Sequence, residues 1–248
     1  MVWGTSTDPW SWYFSETNRK YTHSYQVVRS TFDHILLKNS IKSGVDVREG
    51  SQVTKIHRKN DHVLGIEIKT ADNKFIDLFS TITIDASGQA AMLARDMNLL
   101  EWDDFFQNLA VYGYFSNATR LNMPDENNIL IEAHSKGWNW LIPLHNGKVS
   151  VGVVVDSINA SQQIEHANLD IFLNEYIAQS PYIAELLSNA TLDTNAQAVR
   201  DWSYAANSFI GNGYILAGDA ACFIDPLFSS GVHLAMNAGV LASAYVNT

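Results

Sequence analysis

The residues with the clearest capacity for chemistry form one string near the carboxyl end. It runs Gly213-Tyr214-Ile215-Leu216-Ala217-Gly218-Asp219-Ala220-Ala221 and resumes as Asp225-Pro226-Leu227-Phe228-Ser229-Ser230-Gly231-Val232-His233-Leu234-Ala235. The apolar part reads as a buried strand ending at Gly218, where the missing Cβ lets a ligand approach the backbone. Asp219 then stands at the carboxyl end of that strand, the edge at which open α/β sheets bind cofactors. A carboxylate placed there accepts hydrogen bonds from sugar hydroxyls. Pro226 stiffens the connecting loop. Ser229, Ser230 and Gly231 open the next helix, whose first N–H groups and positive dipole end favour a negative or electron-rich group. A bare Gly-Asp pair would mean only a strand and a capped helix, so the signal lies in the whole string.

A second group is Trp138-Asn139-Trp140-Leu141-Ile142-Pro143, with Gly152 in the strand that follows. Trp138 and Trp140 alternate onto one face of a strand, and their bulk suits them to wall off a channel. Two tryptophans in isolation would serve equally well as sheet core. Metal chemistry is not expected: His57 and His62 are too far apart for one helical face, and no His-x-x-x-His pair occurs. The single cysteine, Cys222, excludes an internal disulfide and a cysteine-based metal site. A reducing, cytoplasmic setting fits it best.

The elements that would carry these groups can be read from periodicity. Thr31 to Lys42 places Phe32, Ile35, Leu36 and Ile41 at helical spacing, with Ser43-Gly44 as a stop. Short β-rich runs follow at Val45 to Val47, Gln52 to His57, Val63 to Lys69, Phe75 to Phe79 and Ile82 to Ile84, divided by Asp, Asn, Gly and Lys clusters. The Ala86-Ser87-Gly88 turn leads into a short helix near Ala90 to Met97. Beyond Leu99, strands are expected around Ala110 to Phe115, Ile129 to Ala133, Trp138 to Ile142 and Val149 to Val155. Helices are expected near Gln163 to Ala178 and Pro181 to Ser188. Tyr214 to Ala217 is a buried strand, and Gly231 to Tyr245 a helix. The expected fold is α/β, with three segments: residues 1–98, an antiparallel-sheet, substrate-facing domain over 99–205, and a return to α/β logic over 206–248.

Bulk properties narrow the partners. The 248 residues are 46% hydrophobic, enough for one large core or two modest ones. A formal net charge of −10 repels nucleic acid and anionic membrane surfaces, and no Lys/Arg stripe counters it. No apolar run is long enough to span a membrane, and the N-terminus lacks the features of a signal peptide. The Asn-x-Ser/Thr triplets at Asn117, Asn159 and Asn189 are chance matches without a secretory signal.

The string around Asp219 resembles the second FAD-binding motif of the flavin monooxygenase superfamily, and in particular that of the flavin-dependent halogenases. Trp138 to Pro143 matches their Trp-x-Trp-x-Ile-Pro signature. The resemblance covers essentially the whole chain. It implies a partial Rossmann-like FAD-binding domain with an inserted antiparallel-sheet substrate domain. Asp219 would bind the ribityl chain of FAD, and Pro226 with the Ser230-Gly231 backbone would lie beside the isoalloxazine, Ser230 and Gly231 also bordering the halide site. Tyr25 to Asp33 is similar to the family's arginine-containing segment, so Arg29 would contact the cofactor, its charge suiting a pyrophosphate. Val53 falls in the strand whose backbone meets the adenine, and Gly88 lets the chain pass close to the dinucleotide. Trp138, Trp140, Ile142 and Pro143 would shape the route between flavin and substrate.

The same resemblance implies a separate flavin reductase as partner, and a flavin hydroperoxide that oxidises halide to halogenate an electron-rich aromatic ring. Tryptophan-type members carry a glutamate at the position of Phe228, so a phenolic, pyrrolic or carrier-tethered substrate is favoured over free tryptophan. No Gly-x-Gly-x-x-Gly string is present, and Gly211-Asn212-Gly213 reads as a turn. The family's catalytic lysine is expected upstream of Met1, and Lys20 has no match to it. The chain is thus expected to be truncated at both ends, to bind FAD weakly and to lack turnover alone. Two alternatives stay open. One is an FAD-dependent aromatic monooxygenase or prenyl reductase, which would share Asp219 but does not call for the tryptophan signature. The other is a non-catalytic remnant.

Overall fold

A computed structural model describes residues 1–4, 8–158, 160 and 168–247, with 200–202 described by backbone alone. In chain order the elements are α1 (Phe14–Thr17), α2 (Arg29–Lys42), β1 (Gln52–Lys59), β2 (His62–Lys69), β3 (Phe75–Phe79), β4 (Thr83–Asp85), α3 (Met92–Asp96), β5 (Leu100–Ser116), β6 (Leu130–His134), β7 (Gly137–Pro143), β8 (Val149–Asp156), α4 (Leu169–Ile177), α5 (Pro181–Leu186), β9 (Thr191–Leu192), β10 (Gln197–Ala206), β11 (Ile210–Gly211), β12 (Tyr214–Leu216), β13 (Cys222–Phe223) and α6 (Gly231–Val246). They divide into two compact units. The first joins Met1–Val45 to Asn108–Asp201, the second Asp46–Gln107 to Trp202–Thr248.

In the first unit, β5 pairs antiparallel with β8, β8 with β7 and β7 with β6. Side chains alternate across such a sheet, and here the alternation separates two apolar faces. Val111, Phe115, Leu141, Val149, Val151 and Val153 share one face and pack against Phe172, Leu173, Tyr176 and Ile183 of α4 and α5. Phe172, Leu173 and Tyr176 fall on one side of α4, and Ile183 joins them from α5. Burying each such side chain is worth about 1.5–3 kcal/mol. Asn168 caps α4 by accepting from the N–H groups of Asp170 and Ile171 at 2.7 and 3.1 Å, and Pro181 opens α5 at a position where no N–H is needed. The expected helix from Gln163 is seen from Leu169 onward; Gln163 itself and Asn159 lie outside the described residues.

In the second unit, β1, β2 and β3 form an antiparallel sheet. β12 pairs antiparallel with β11 and parallel with β4, and β13 pairs with the end of β10. Val63, Leu93, Ala94, Ala206, Tyr214 and Leu216 make the core. The expected α/β logic with an antiparallel sheet is met.

One expected strand is absent and two strand segments went unexpected, each for a physical reason. Val45 to Val47 forms no strand: Val45 is exposed and the Arg48 guanidinium folds back onto Asp46 at 2.7 Å. β10 carries Arg200-Asp201 in mid-strand, which hid it from the alternation pattern. The start of β5 does the same with Glu101, Asp103 and Asp104. Among the described residues no helix is long and apolar enough to cross a membrane.

Candidate functional site

β4 and β12 lie side by side and parallel, Ile84 opposite Ile215 and Asp85 opposite Leu216. Both end in the same way. Gly88 (φ +63°) and Gly218 (φ +59°) take the left-handed backbone that glycine alone adopts cheaply, and each opens a 3-10 turn, Gly88–Ala90 and Gly218–Ala220. The two turns touch, and the Ala217 N–H donates to the Asp85 carbonyl at 2.9 Å. A Cβ on Gly218 would also press on the Ala235 Cβ of α6 at 3.1 Å, so this glycine is required by both conformation and space. A Cβ on Gly88 or Gly231 would meet nothing within 4 Å, which leaves both backbones open to a ligand.

The polar groups at this edge are built from several elements. Half-buried Asp219 follows Gly218 within its turn. The Tyr204 hydroxyl donates to the Asp219 carbonyl at 2.6 Å. Burial, then the charge of Asp219, pushes the Tyr204 phenol up to about 12, so it remains a donor. Asp225 accepts from the Leu227 N–H at 2.7 Å and shapes the Pro226–Phe228 turn; burial pushes its carboxyl upward. Ser229 is left-handed (φ +52°), and Ser230 caps the 16-residue α6 without a side-chain hydrogen bond to it. The first-turn N–H groups of a helix have no partner within it, and they carry its positive dipole end. Val53 lies in β1 opposite Ile68, beside a bulge before Lys55.

Asp85 stands just before the Ala86-Ser87-Gly88 turn, and nothing in the local pattern marks its role. Its carboxylate, 8% exposed, accepts from the N–H groups of Ser87 (2.9 Å) and Leu93 (2.8 Å) and so pins the Gly88 turn to α3. Tyr204 was missed altogether, since no local pattern marks a tyrosine whose partner comes from a distant turn.

The second unit thus brings the Gly88 and Asp219 turns together at one strand edge, with α6, which Ser230 and Gly231 open, against the Asp219 turn; Pro226 belongs to the same unit. Val53 belongs to the second unit as well, whereas Arg29, Trp138, Trp140, Ile142 and Pro143 belong to the first. Arg29 is the first residue of α2 and holds Asp33 in a two-pronged ion pair, at 3.0 and 2.9 Å. Trp138 and Trp140 share the sheet face away from α4 and α5, their rings 5.9 Å apart. Trp140 donates to the Ser150 hydroxyl at 3.3 Å and lies 6.4 Å from the Tyr112 ring, whose hydroxyl reaches Gln197 at 2.9 Å. Ile142 and Pro143 close the same strand, opposite Ser150 and Val149. Among the described residues no group of three or more His, Cys, Asp or Glu is placed to hold a metal ion.

The edge offers what a flavin dinucleotide needs: a carboxylate for sugar hydroxyls, glycines where the backbone is approached, and helix N–H groups for an electron-rich ring. Comparison with known proteins agrees. The tryptophan halogenase family model matches residues 9–243. A tryptophan 2-halogenase of Chondromyces crocatus is 32% identical over 96% of this chain and 46% of its own length. A flavin-dependent halogenase of Armillaria mellea is 34% identical over 89% of this chain and 46% of its own. Among solved structures, the myxobacterial chondrochloren halogenase CndH superposes with a TM-score of 0.87 at 37% identity, over 95% of this chain and 55% of that one. The flavin-dependent halogenase CmlS gives 0.84 at 32%, over 90% and 40%. The chain spans about half the length of the curated relatives it matches. On sequence and on fold alike, it belongs to the tryptophan halogenase family.

Proposed function

We propose that the second unit holds FAD along the carboxyl ends of β4 and β12, and that the chain serves flavin-dependent halogenation of an electron-rich aromatic substrate. The observation that carries this is the pair of glycine-ended parallel strands, with Asp219 on one and the open N-terminus of α6 beside it. Asp219 accepts from ribityl hydroxyls, and Gly88 gives the dinucleotide room at the backbone. Val53 offers backbone to the adenine, and the Arg29 charge suits the pyrophosphate. Pro226 and the Ser230-Gly231 amides border the isoalloxazine and hold halide there. Trp138, Trp140, Ile142 and Pro143 carry the tryptophan signature on the first unit, where their bulk suits a channel wall. When bound, FAD supplies the oxygen-dependent oxidation of halide; the protein supplies orientation and exclusion of water. Phe228 in place of an acidic residue favours a phenolic, pyrrolic or carrier-tethered ring, and a separate reductase would deliver the reduced flavin. A reducing, cytoplasmic setting suits the lone Cys222.

Titration of the purified chain with FAD, followed by flavin fluorescence, tests the binding half. Saturable quenching that Asp219→Ala weakens supports it, and absence of saturation rejects it. Incubation of the protein completed to its relatives' length with reductase, halide, oxygen and a phenolic acceptor tests the activity half. A halide-dependent mass increase in the acceptor supports it; hydroxylation in its place points to a monooxygenase.

A further inference from the structure

Two carbonyls of the Asp219 turn are used in an ordinary backbone way. The Gly218 carbonyl accepts from the Ala221 N–H at 2.9 Å, and the Ala221 carbonyl from the Ala206 N–H at 2.7 Å. The Asp219 carbonyl is different: it accepts from a side chain, the Tyr204 hydroxyl, at 2.6 Å. Tyr204 sits on β10 opposite Phe223, so one residue grips the turn and the strand that leaves it.

The tyrosine is itself held. Only 5% exposed, its ring lies 5.0 Å from Trp102 and 6.3 Å from Phe223. The Arg95 guanidinium stands over Trp102 at 5.4 Å and donates to the carbonyls of Ala90 (3.0 Å) and Gln89 (3.4 Å) in the Gly88 turn. Arg95, Trp102 and Tyr204 thus form a bracket running from one glycine turn to the other.

A peptide group is planar and trans, so its N–H points opposite to its C=O. Drawing the Asp219 carbonyl to Tyr204 therefore points the Ala220 N–H away from Tyr204 and fixes the backbone from which the Asp219 side chain departs. We infer that Tyr204 is a positioning residue for the cofactor: its hydroxyl sets the peptide after Asp219 and so aims that carboxylate. The inference rests on the reading that Asp219 meets FAD. Packing does not call for the hydroxyl, because phenylalanine would fill the same space between Trp102 and Phe223. The phenol stays protonated at all working pH values, so the clamp does not loosen with pH.

The test compares Tyr204→Phe with Val63→Ala, a cavity variant in the core of the same unit, at a temperature where both are folded. Tyr204→Phe is expected to weaken FAD binding by about tenfold, the effect of one hydrogen bond, while Val63→Ala leaves affinity unchanged. In the flavin-free chain, hydrogen exchange at the Ala220 and Ala221 amides should quicken in Tyr204→Phe and not in Val63→Ala. Exchange that quickens there alone supports the clamp, and exchange that does not change overturns it, whatever the titration returns. Equal FAD affinity in Tyr204→Phe and a wild type that binds also overturns it. A wild type without saturable binding sinks the cofactor reading instead, and the exchange result still decides the clamp.

Discussion

The indole of Trp140 lies across Gly152, its partner on the neighbouring strand, and occupies the space that a Cβ at position 152 would need. The ring is held there by its donation to Ser150 and by the nearby ring of Tyr112. Glycine to alanine in a strand ordinarily gains about 0.4–1 kcal/mol by restricting the unfolded chain. Here the added methyl must displace an indole or part the strands, and overpacking of that kind costs about 1–3 kcal/mol. Gly152→Ala is therefore expected to lower the denaturation midpoint and shift the tryptophan emission. A midpoint at or above wild type would mean that the ring yields freely.

Asp85 tests the other unit. It is the carboxylate that accepts from two backbone N–H groups, those of Ser87 and Leu93, beneath the Gly88 turn. Asp85→Asn keeps one acceptor and turns an NH2 group against the second N–H. Leaving a buried donor unsatisfied costs about 1–3 kcal/mol. The expected outcome is a lower thermal midpoint with faster exchange at the Leu93 amide. Unchanged exchange there would show that the turn does not hang on this side chain.

What could be read in advance was local, and what could not was long-range. The left-handed Gly218 and the Asp219 beside it belong to one contiguous string, so strand, turn and helix were legible together. Trp138 and Trp140 were placed on one face by alternation alone, and their rings are neighbours. The helix was read from Thr31, whereas it begins at Arg29 itself, whose grip on Asp33 one turn later no local pattern marks. Tyr204 and Trp102 were invisible because both strands that carry them are interrupted by charges, and charge breaks the period that marks a strand. Their partners are set by which strands pair, and pairing is not written in any one segment.

A pH dependence is expected from His134. Its Nδ1 accepts the Lys136 N–H at 3.2 Å, which assigns the ring proton of the neutral form to Nε2. Burial lowers its pKa below the ordinary 6.5, with the nearby Asn139 side chain opposing and Lys136 adding to the shift. The unfolded chain therefore takes up a proton at a pH where the folded one resists it. The stabilisation is complete above the ordinary value and is lost as pH falls through that value toward the lower folded one. Burial raises Glu132, whose contribution has the opposite slope, but it is common to wild type and variant. Denaturation midpoints taken between about pH 5 and pH 7.5 should fall more steeply toward acid in wild type than in His134→Gln. Parallel profiles would remove His134 from the account.

Asp219 should behave unlike Asp85, although the two stand at the ends of neighbouring strands. Asp85 is buried and spends its oxygens on the protein's own N–H groups, whereas Asp219 is half-buried at the edge where the two glycine turns open. A carboxylate that accepts from ligand hydroxyls contributes a charged hydrogen bond, worth about 1.5–3 kcal/mol. Asp219→Asn replaces one of those acceptor oxygens by a donor. It is expected to weaken FAD binding by about tenfold to a hundredfold and to move the thermal midpoint less than Asp85→Asn does. Titration and melting of the two variants side by side provide the check. If Asp219→Asn cost stability and left flavin affinity intact, its carboxylate would belong to the fold, and the ligand edge would have to be sought elsewhere.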